Sequence, residues 1–288
     1  MELFLIKLLN GITTGALYAV TAFGLTFILG MLNIPNFAHG ALFALGGYLA
    51  YSIAQATSSY WAALLVAPLL LAVLGGVLER AMLRPLYGSD PESDNFLLLA
   101  LFALAIILQE VIIMIWGAAG ASSLPPSALV GALELGPIYY PKFRLFVLAA
   151  AGAIVLLSWL FIERTRAGSL IKAAIENREA VMLLGVDIRI LFAASFAFGT
   201  LLTALAGALS LPIRGIHPLI GMDILTVSFV IVVVGGLGNL YGAIFAGILV
   251  GVLQELATYI DPLASWLAVY LVMMIVLLVR PMGLFGKR

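Results

Sequence analysis

Few groups in the 288 residues could do chemistry, and their spacing argues against catalysis. Glu110 and Glu255 each follow a glutamine, Gln109 and Gln254, inside long apolar stretches. A carboxylate within a membrane is a functional candidate by default, whereas one near a helix end simply reaches water. Both carboxylates fall near predicted outer ends. The two histidines, His39 and His217, share no metal-ligand spacing, and the absence of cysteine excludes disulfides and thiolate sites. His217, between Arg214 and Pro218, reads as structural. No Ser/His/Asp set and no carboxylate pair points to an enzyme, so no catalytic residue, no metal site and no bound cofactor is expected.

Three segments carry polar or flexible chemistry in an otherwise plain chain. The first is GMLNIPNFAHG, residues 30–40. Pro35 lacks a backbone donor and disfavours helix just before it. Asn33, Asn36 and His39 are therefore polar groups at a break between apolar stretches. Left unsatisfied in hydrocarbon they would each cost several kcal/mol. They form either a polar turn at the inner membrane face, with Asn36 capping the next helix, or a helix break lining a substrate path.

The second is VGGLGNLYGAIFAG, residues 234–247. Gly235, Gly236 and Gly238 free the backbone, and Asn239 offers a helix cap. A phosphate-cradling loop is excluded, because no lysine or hydroxyl follows at the required spacing. Gly247 and Gly251 are four apart, which permits close helix contact. The two breaks resemble each other, each an apolar helix, an Asn/Gly interruption and a Gly/Ala/Leu/Phe helix, which suggests two related halves.

The third is the basic loop 164–189. Ser169 is a candidate helix cap and Gly185 a stop. Leu170, Ala174 and Val181, with Ile171, Ile175 and Met182, recur at helical spacing, and Lys172, Glu176 and Glu179 lie opposite. Such an amphipathic helix needs a cover for its apolar stripe. That cover is either lipid headgroups or the groove of a soluble partner.

The elements that position these segments follow from composition. Hydrophobic residues make up 64% of the chain and charged residues 10%, against roughly half and a quarter in soluble domains. Leu8 to Leu78 contains no Asp, Glu, Lys or Arg. A run that long belongs in a bilayer, where each crossing takes about 20 apolar residues. Zero net charge gives no bulk field for a nucleic-acid partner. The N-terminus is apolar from Leu3 without a small-residue cleavage site, and reads as a retained first helix.

Charges and prolines divide the apolar mass into nine predicted spans at 3–31, 38–57, 61–83, 96–117, 144–163, 190–213, 223–237, 240–259 and 264–280. The span at 223–237 is short enough to be a half-helix. The fold class is all-α: a polytopic transmembrane bundle of about 8–10 spans, broken near 33–40 and 235–240. Lys and Arg favour the cytoplasmic side. Arg80 and Arg84, the loop cluster Arg164, Arg166, Lys172, Arg178 and Arg189, and the closing Arg280, Lys287 and Arg288 all fall inside if the N-terminus is outside. Segment 118–143, with four prolines, Tyr139 and Tyr140, then lies outside as a loop with short extended pieces.

The sequences NIPNFAHGALFALGGYLAY, RTRAGSLIKAAIENREAVMLLGVDI and VVVGGLGNLYGAIFAGILVG, at 33–51, 164–188 and 232–251, resemble the LivH-type permeases of branched-chain amino-acid ABC importers. The resemblance extends to the closing RPMGLFGKR. It implies a single transmembrane permease domain over 1–288, in a bacterial cytoplasmic membrane, with a cytoplasmic coupling loop at 164–189. It implies four kinds of partner: a second, LivM-type permease, two ABC ATPase subunits that hold the ATP and Mg, an extracytoplasmic solute-binding protein, and membrane lipid. Asn33, Asn36, His39, Gly235, Gly236, Gly238 and Asn239 would line the substrate path. Ile171, Ile175, Arg178, Glu179, Ala180, Met182 and Gly185 would couple to the ATPase. Glu179, Ala180 and Gly185 match the family's coupling pattern, whereas Val181 stands where a second alanine is usual. Family members carry branched-chain amino acids, urea, amides and other small polar solutes. The competing reading is an ion-coupled secondary transporter, which would need carboxylates or an ion cage near the midplane.

Overall fold

The computed structural model describes residues 1–87, 91–262 and 264–286; Lys287 and Arg288 of the expected basic C-terminus lie outside the described residues. All nine predicted spans are helical. They correspond to α1 (Glu2–Leu32), α2 (His39–Thr57), α3 (Tyr60–Leu78), α4 (Pro91–Trp116), α5 (Lys142–Arg164), α8 (Ile188–Arg214), α9 (Ile220–Gly235), α10 (Leu240–Ala257) and α11 (Ala264–Val279). The cytoplasmic loop supplies two further short helices, α6 (Arg166–Glu176) and α7 (Arg178–Leu183). Helix α3 continues through one π-helical turn, Glu79–Leu83, into a short 3-10 turn ending at Leu86. Among the described residues, six helices are long and apolar enough to cross a membrane. Helices α9 and α11 are apolar but have 16 residues each. That is about 24 Å of helix, short of the roughly 30 Å hydrocarbon thickness.

Helix α1 is the axis of the bundle, and most of its length is buried among α10, α8, α5 and α9. It is apolar on all sides, as a core helix must be. Lipid tails are as apolar as leucine, so helices in a membrane associate through close packing instead. The α1–α10 seam is built for that. A methyl group added at Gly15 would sit 2.8 Å from the Ile248 Cα, and one at Gly247 would sit 2.8 Å from the Ala19 Cα. Gly251 lies directly against Gly15. The two helices run antiparallel, and the Gly247/Gly251 spacing read from the sequence is this seam.

Side-chain contacts sort the helix ends onto two faces. On one, Arg84 donates to Arg189 O (3.0 Å), joining α3 to the start of α8. On the same face Lys172 on α6 pairs with Glu163 at the end of α5 (2.7 Å), and Tyr241 at the start of α10 donates to Glu163 (3.4 Å). The described members of all three basic clusters therefore share one face, which the positive-inside preference makes cytoplasmic. On the other face, Lys7 pairs with Glu255 (3.9 Å). A two-stranded antiparallel hairpin, β1 (Ala132–Leu135) with β2 (Ile138–Pro141), docks there. Its Tyr140 is buried and donates to Asn10 (3.1 Å), whereas Tyr139 is exposed. The extended pieces expected in segment 118–143 are this hairpin and a bridge between Ala121 and Ile216.

Candidate functional site

At the first break, α1 ends with Asn33 in the left-handed conformation (φ 59°), its N–H bonded to Leu29 O at 2.8 Å. The chain then folds back into the bundle. His39 opens α2, yet its Nε2 donates to Thr21 O at 2.9 Å, about three turns, or about 16 Å, before the end of α1. The break is thus a re-entrant segment rather than a turn at the inner face. Asn36 and His39 are fully buried. Asn36 does not cap α2; its Oδ1 accepts from Ala38 N (3.0 Å) just before the helix. Thr21 also receives a weak bond from Ser228 Oγ on α9 (3.4 Å), so α1, α2 and α9 meet in one polar cluster. Asn36 Nδ2 and His39 Nδ1 have no partner in it. A buried polar atom left without a partner costs roughly 1–3 kcal/mol.

Of this segment, Asn33 is exposed, whereas the half-buried Phe37 faces a cavity. Its ring lies 5.5 Å from Phe229 and 6.2 Å from Phe102. It lines a cavity of about 630 Å3 between α2, α4, α9 and α11, where Gln109, Thr226 and Tyr270 are the polar groups. Glu110, the neighbour of Gln109, is exposed. Glu255 is held by Lys7 at the outer end. Neither expected carboxylate is placed at a midplane ion site. Among the described residues the fully buried carboxylate is Glu79, held by Arg84 at 3.2 Å near the cytoplasmic face.

The second break is a tight turn held by the C-terminal segment. Gly236 and Gly238 take positive φ, 104° and 76°. Asn239 caps α10 as expected, accepting from Gly242 N at 3.0 Å. Its Nδ2 donates to Phe285 O (2.7 Å), and Leu284 N donates to Val234 O (2.8 Å). The close backbone approach is between Gly235 and Gly242, not at Gly238, where a side chain would meet open space. Gly235, Gly236, Gly238 and Asn239 thus form a clasp, and none of them lines the 630 Å3 cavity.

The cytoplasmic loop differs from one continuous helix over 169–184. Thr165, not Ser169, caps α6 by accepting from Gly168 N (3.0 Å). Asn177 interrupts the helix and caps α7 through Ala180 N (2.9 Å). Gly185 ends α7 with φ 79°, as expected. The apolar stripe splits between two surfaces. Ile171, Ala174 and Val181 are buried against the chain's own helices, and Ile175, 40% exposed, lies over Gly30 of α1, where an added methyl group would sit 3.3 Å from its Cδ1. Arg178 donates to Met31 O (2.7 Å) and stacks over Phe192 (5.2 Å). Glu179, Ala180, Met182, Leu183, Leu184 and Gly185 face outward, with Leu183 89% exposed. Sequence spacing could not show this split, because the stripe continues across the Asn177 interruption. Leu183 and Leu184, missed in the sequence, were legible only as apolar residues off the expected stripe.

The loop bonds the end of α1 directly, through Arg178 on α7. Toward the second break it has only a relay: Lys172 on α6 pairs with Glu163 of α5, which accepts from Tyr241 in the first turn of α10.

Residues 7–278 match the family described as branched-chain amino acid transport system / permease component. The chain is 27% identical to the high-affinity branched-chain amino acid transport system permease protein BraD of Pseudomonas aeruginosa, over 99% of this chain and 96% of that protein. It is 27% identical, with the same coverage, to the corresponding permease LivH of Escherichia coli. It is 26% identical to a probable LivH of Methanocaldococcus jannaschii, over 94% of this chain and 89% of that one. With its many apolar helices and basic inner face, the chain is a multi-pass protein of the cytoplasmic membrane and belongs to the family of branched-chain amino-acid transport permeases.

Proposed function

We propose that this chain is one of two pore-forming permeases in an ATP-driven importer of branched-chain amino acids or related small polar solutes. A second, LivM-type permease completes the path, two ATPase subunits hold ATP and Mg on the cytoplasmic side, and a solute-binding protein delivers substrate outside. The observation that carries this reading is the two-sided loop. One side is bonded to the end of α1 through Arg178 and to α5 through Lys172, and the other offers Met182, Leu183 and Leu184 to the cytoplasm with Glu179 and Ala180 beside them. An apolar tip turned toward water on a basic face needs a soluble cover. The path runs along the re-entrant segment, with Phe37 as the side chain facing the cavity. An ion-coupled transporter is less well supported, since Glu255 pairs with Lys7 and Glu110 faces away from the bundle interior, so the two form no shared ion site.

Leu183→Glu tests the docking face. It puts a carboxylate where an apolar contact is expected, without touching the membrane helices. Normal membrane abundance with loss of ATPase copurification is expected, and undiminished copurification would contradict the docking face.

A further inference from the structure

Four helix ends converge outside, away from the ATPase face, around a pocket of about 160 Å3. Arg214 is the last residue of α8, Asp223 lies in the first turn of α9, Gln254 in the last turn of α10 and Trp266 in the first turn of α11. Tyr18 of α1 forms the inner wall. Drug-sized sites run to roughly 300–1,000 Å3, so this one holds a single small solute.

Its chemistry is of opposite signs, kept apart. Arg214 and Asp223 line the same pocket, yet no ion pair joins them. The guanidinium lies over the Tyr18 ring instead, at 5.9 Å. Gln254 Oε1 is buried with no hydrogen-bond donor. A guanidinium matches a carboxylate, and a carboxylate with a spare amide oxygen matches an ammonium. The Tyr18 and Trp266 rings leave an apolar wall for a side chain. His217 completes the polar rim, and the Ala121–Ile216 bridge fixes the loop that carries it.

We infer that this pocket is an entry site for the zwitterionic head group of a small α-amino acid, with Arg214 on the carboxylate and Asp223 and Gln254 on the ammonium. The inference rests on the importer reading and deepens it, because urea or a simple amide would use only part of this set.

The test uses the assembled importer in nanodiscs, without the solute-binding protein, and with Trp61, Trp116 and Trp159 replaced by Phe so that Trp266 reports. L-leucine is titrated against leucinamide, which lacks the carboxylate, and 4-methylpentanoate, which lacks the ammonium. A saturable change in Trp266 emission is expected for L-leucine, with at least tenfold weaker responses to both analogues. Arg214→Gln and Asp223→Asn should weaken the leucine response at least tenfold. Gln254→Leu should weaken it while leaving the melting temperature unchanged or raised, since it removes a buried orphan. Equal responses to leucine and its analogues, or leucine uptake by the complete importer with no Trp266 response, would overturn the site alone. Failure of the complete importer to take up any amino acid with ATP would overturn the reading beneath it, and the site with it.

Discussion

The guanidinium of Arg178 on α7 holds the main-chain oxygen of Met31, the penultimate residue of α1, at 2.7 Å. The last carbonyls of a helix have no partner within it, and cations are favoured at that end. The contact thus satisfies a helix terminus and ties the cytoplasmic loop to the start of the re-entrant segment.

That tie should be needed for transport rather than for ATPase docking. A hydrogen bond from a charged donor contributes roughly 1.5–3 kcal/mol, toward the lower figure at an exposed site. Arg178→Ala should therefore lower uptake about tenfold while the ATPase still copurifies. Arg178→Lys keeps the charge but loses the planar stacking over Phe192, and should fall between. Uptake by Arg178→Ala equal to wild type would remove this contact from the coupling route.

The α1–α10 seam predicts a steric effect specific to one face. Gly251→Ala pushes a methyl group into the Gly15 backbone, and overpacking costs roughly 1–3 kcal/mol. The melting temperature of the purified protein should fall by several degrees. Gly152 on α5 has nothing within 4 Å of an added methyl group, so Gly152→Ala should leave it unchanged. Equal shifts in the two variants would contradict the seam as the tight contact.

Orientation is testable because the chain has no cysteine. Leu124→Cys, in the exposed outer segment, should react in intact cells with an impermeant thiol reagent. Ser169→Cys on α6 should react only after permeabilisation. Labelling of Ser169→Cys in intact cells would invert the topology.

Much of this architecture was legible because the bilayer imposes one rule along the chain. Apolar length located nine helices, six of them long enough to cross a membrane, and Gly247 and Gly251 marked the seam of α10 with α1. Asn239 and Gly185 behaved as local signals for a cap and a stop, since such motifs act within a few residues. What stayed hidden depends on tertiary contact. Asn36 and His39 read equally well as a surface turn or a buried break, and only the His39–Thr21 bond decides between them. The glycines at 235–238 were legible as a break, but the clasping of their turn by the tail at Leu284 and Phe285 was not. Arg214, Asp223, Gln254 and Trp266 come from four different helices, so no spacing in the sequence joins them.

The central claim, that this chain conducts solute in an ATP-driven importer, is tested most directly by uptake of radiolabelled L-leucine into proteoliposomes. These would hold the purified permease pair and its ATPase subunits, with the solute-binding protein outside and ATP inside. Uptake is predicted to require enclosed ATP, to persist when ionophores collapse the proton and sodium gradients, and to be lost with Leu183→Glu. Uptake that proceeds without ATP and stops when those gradients collapse would contradict the account.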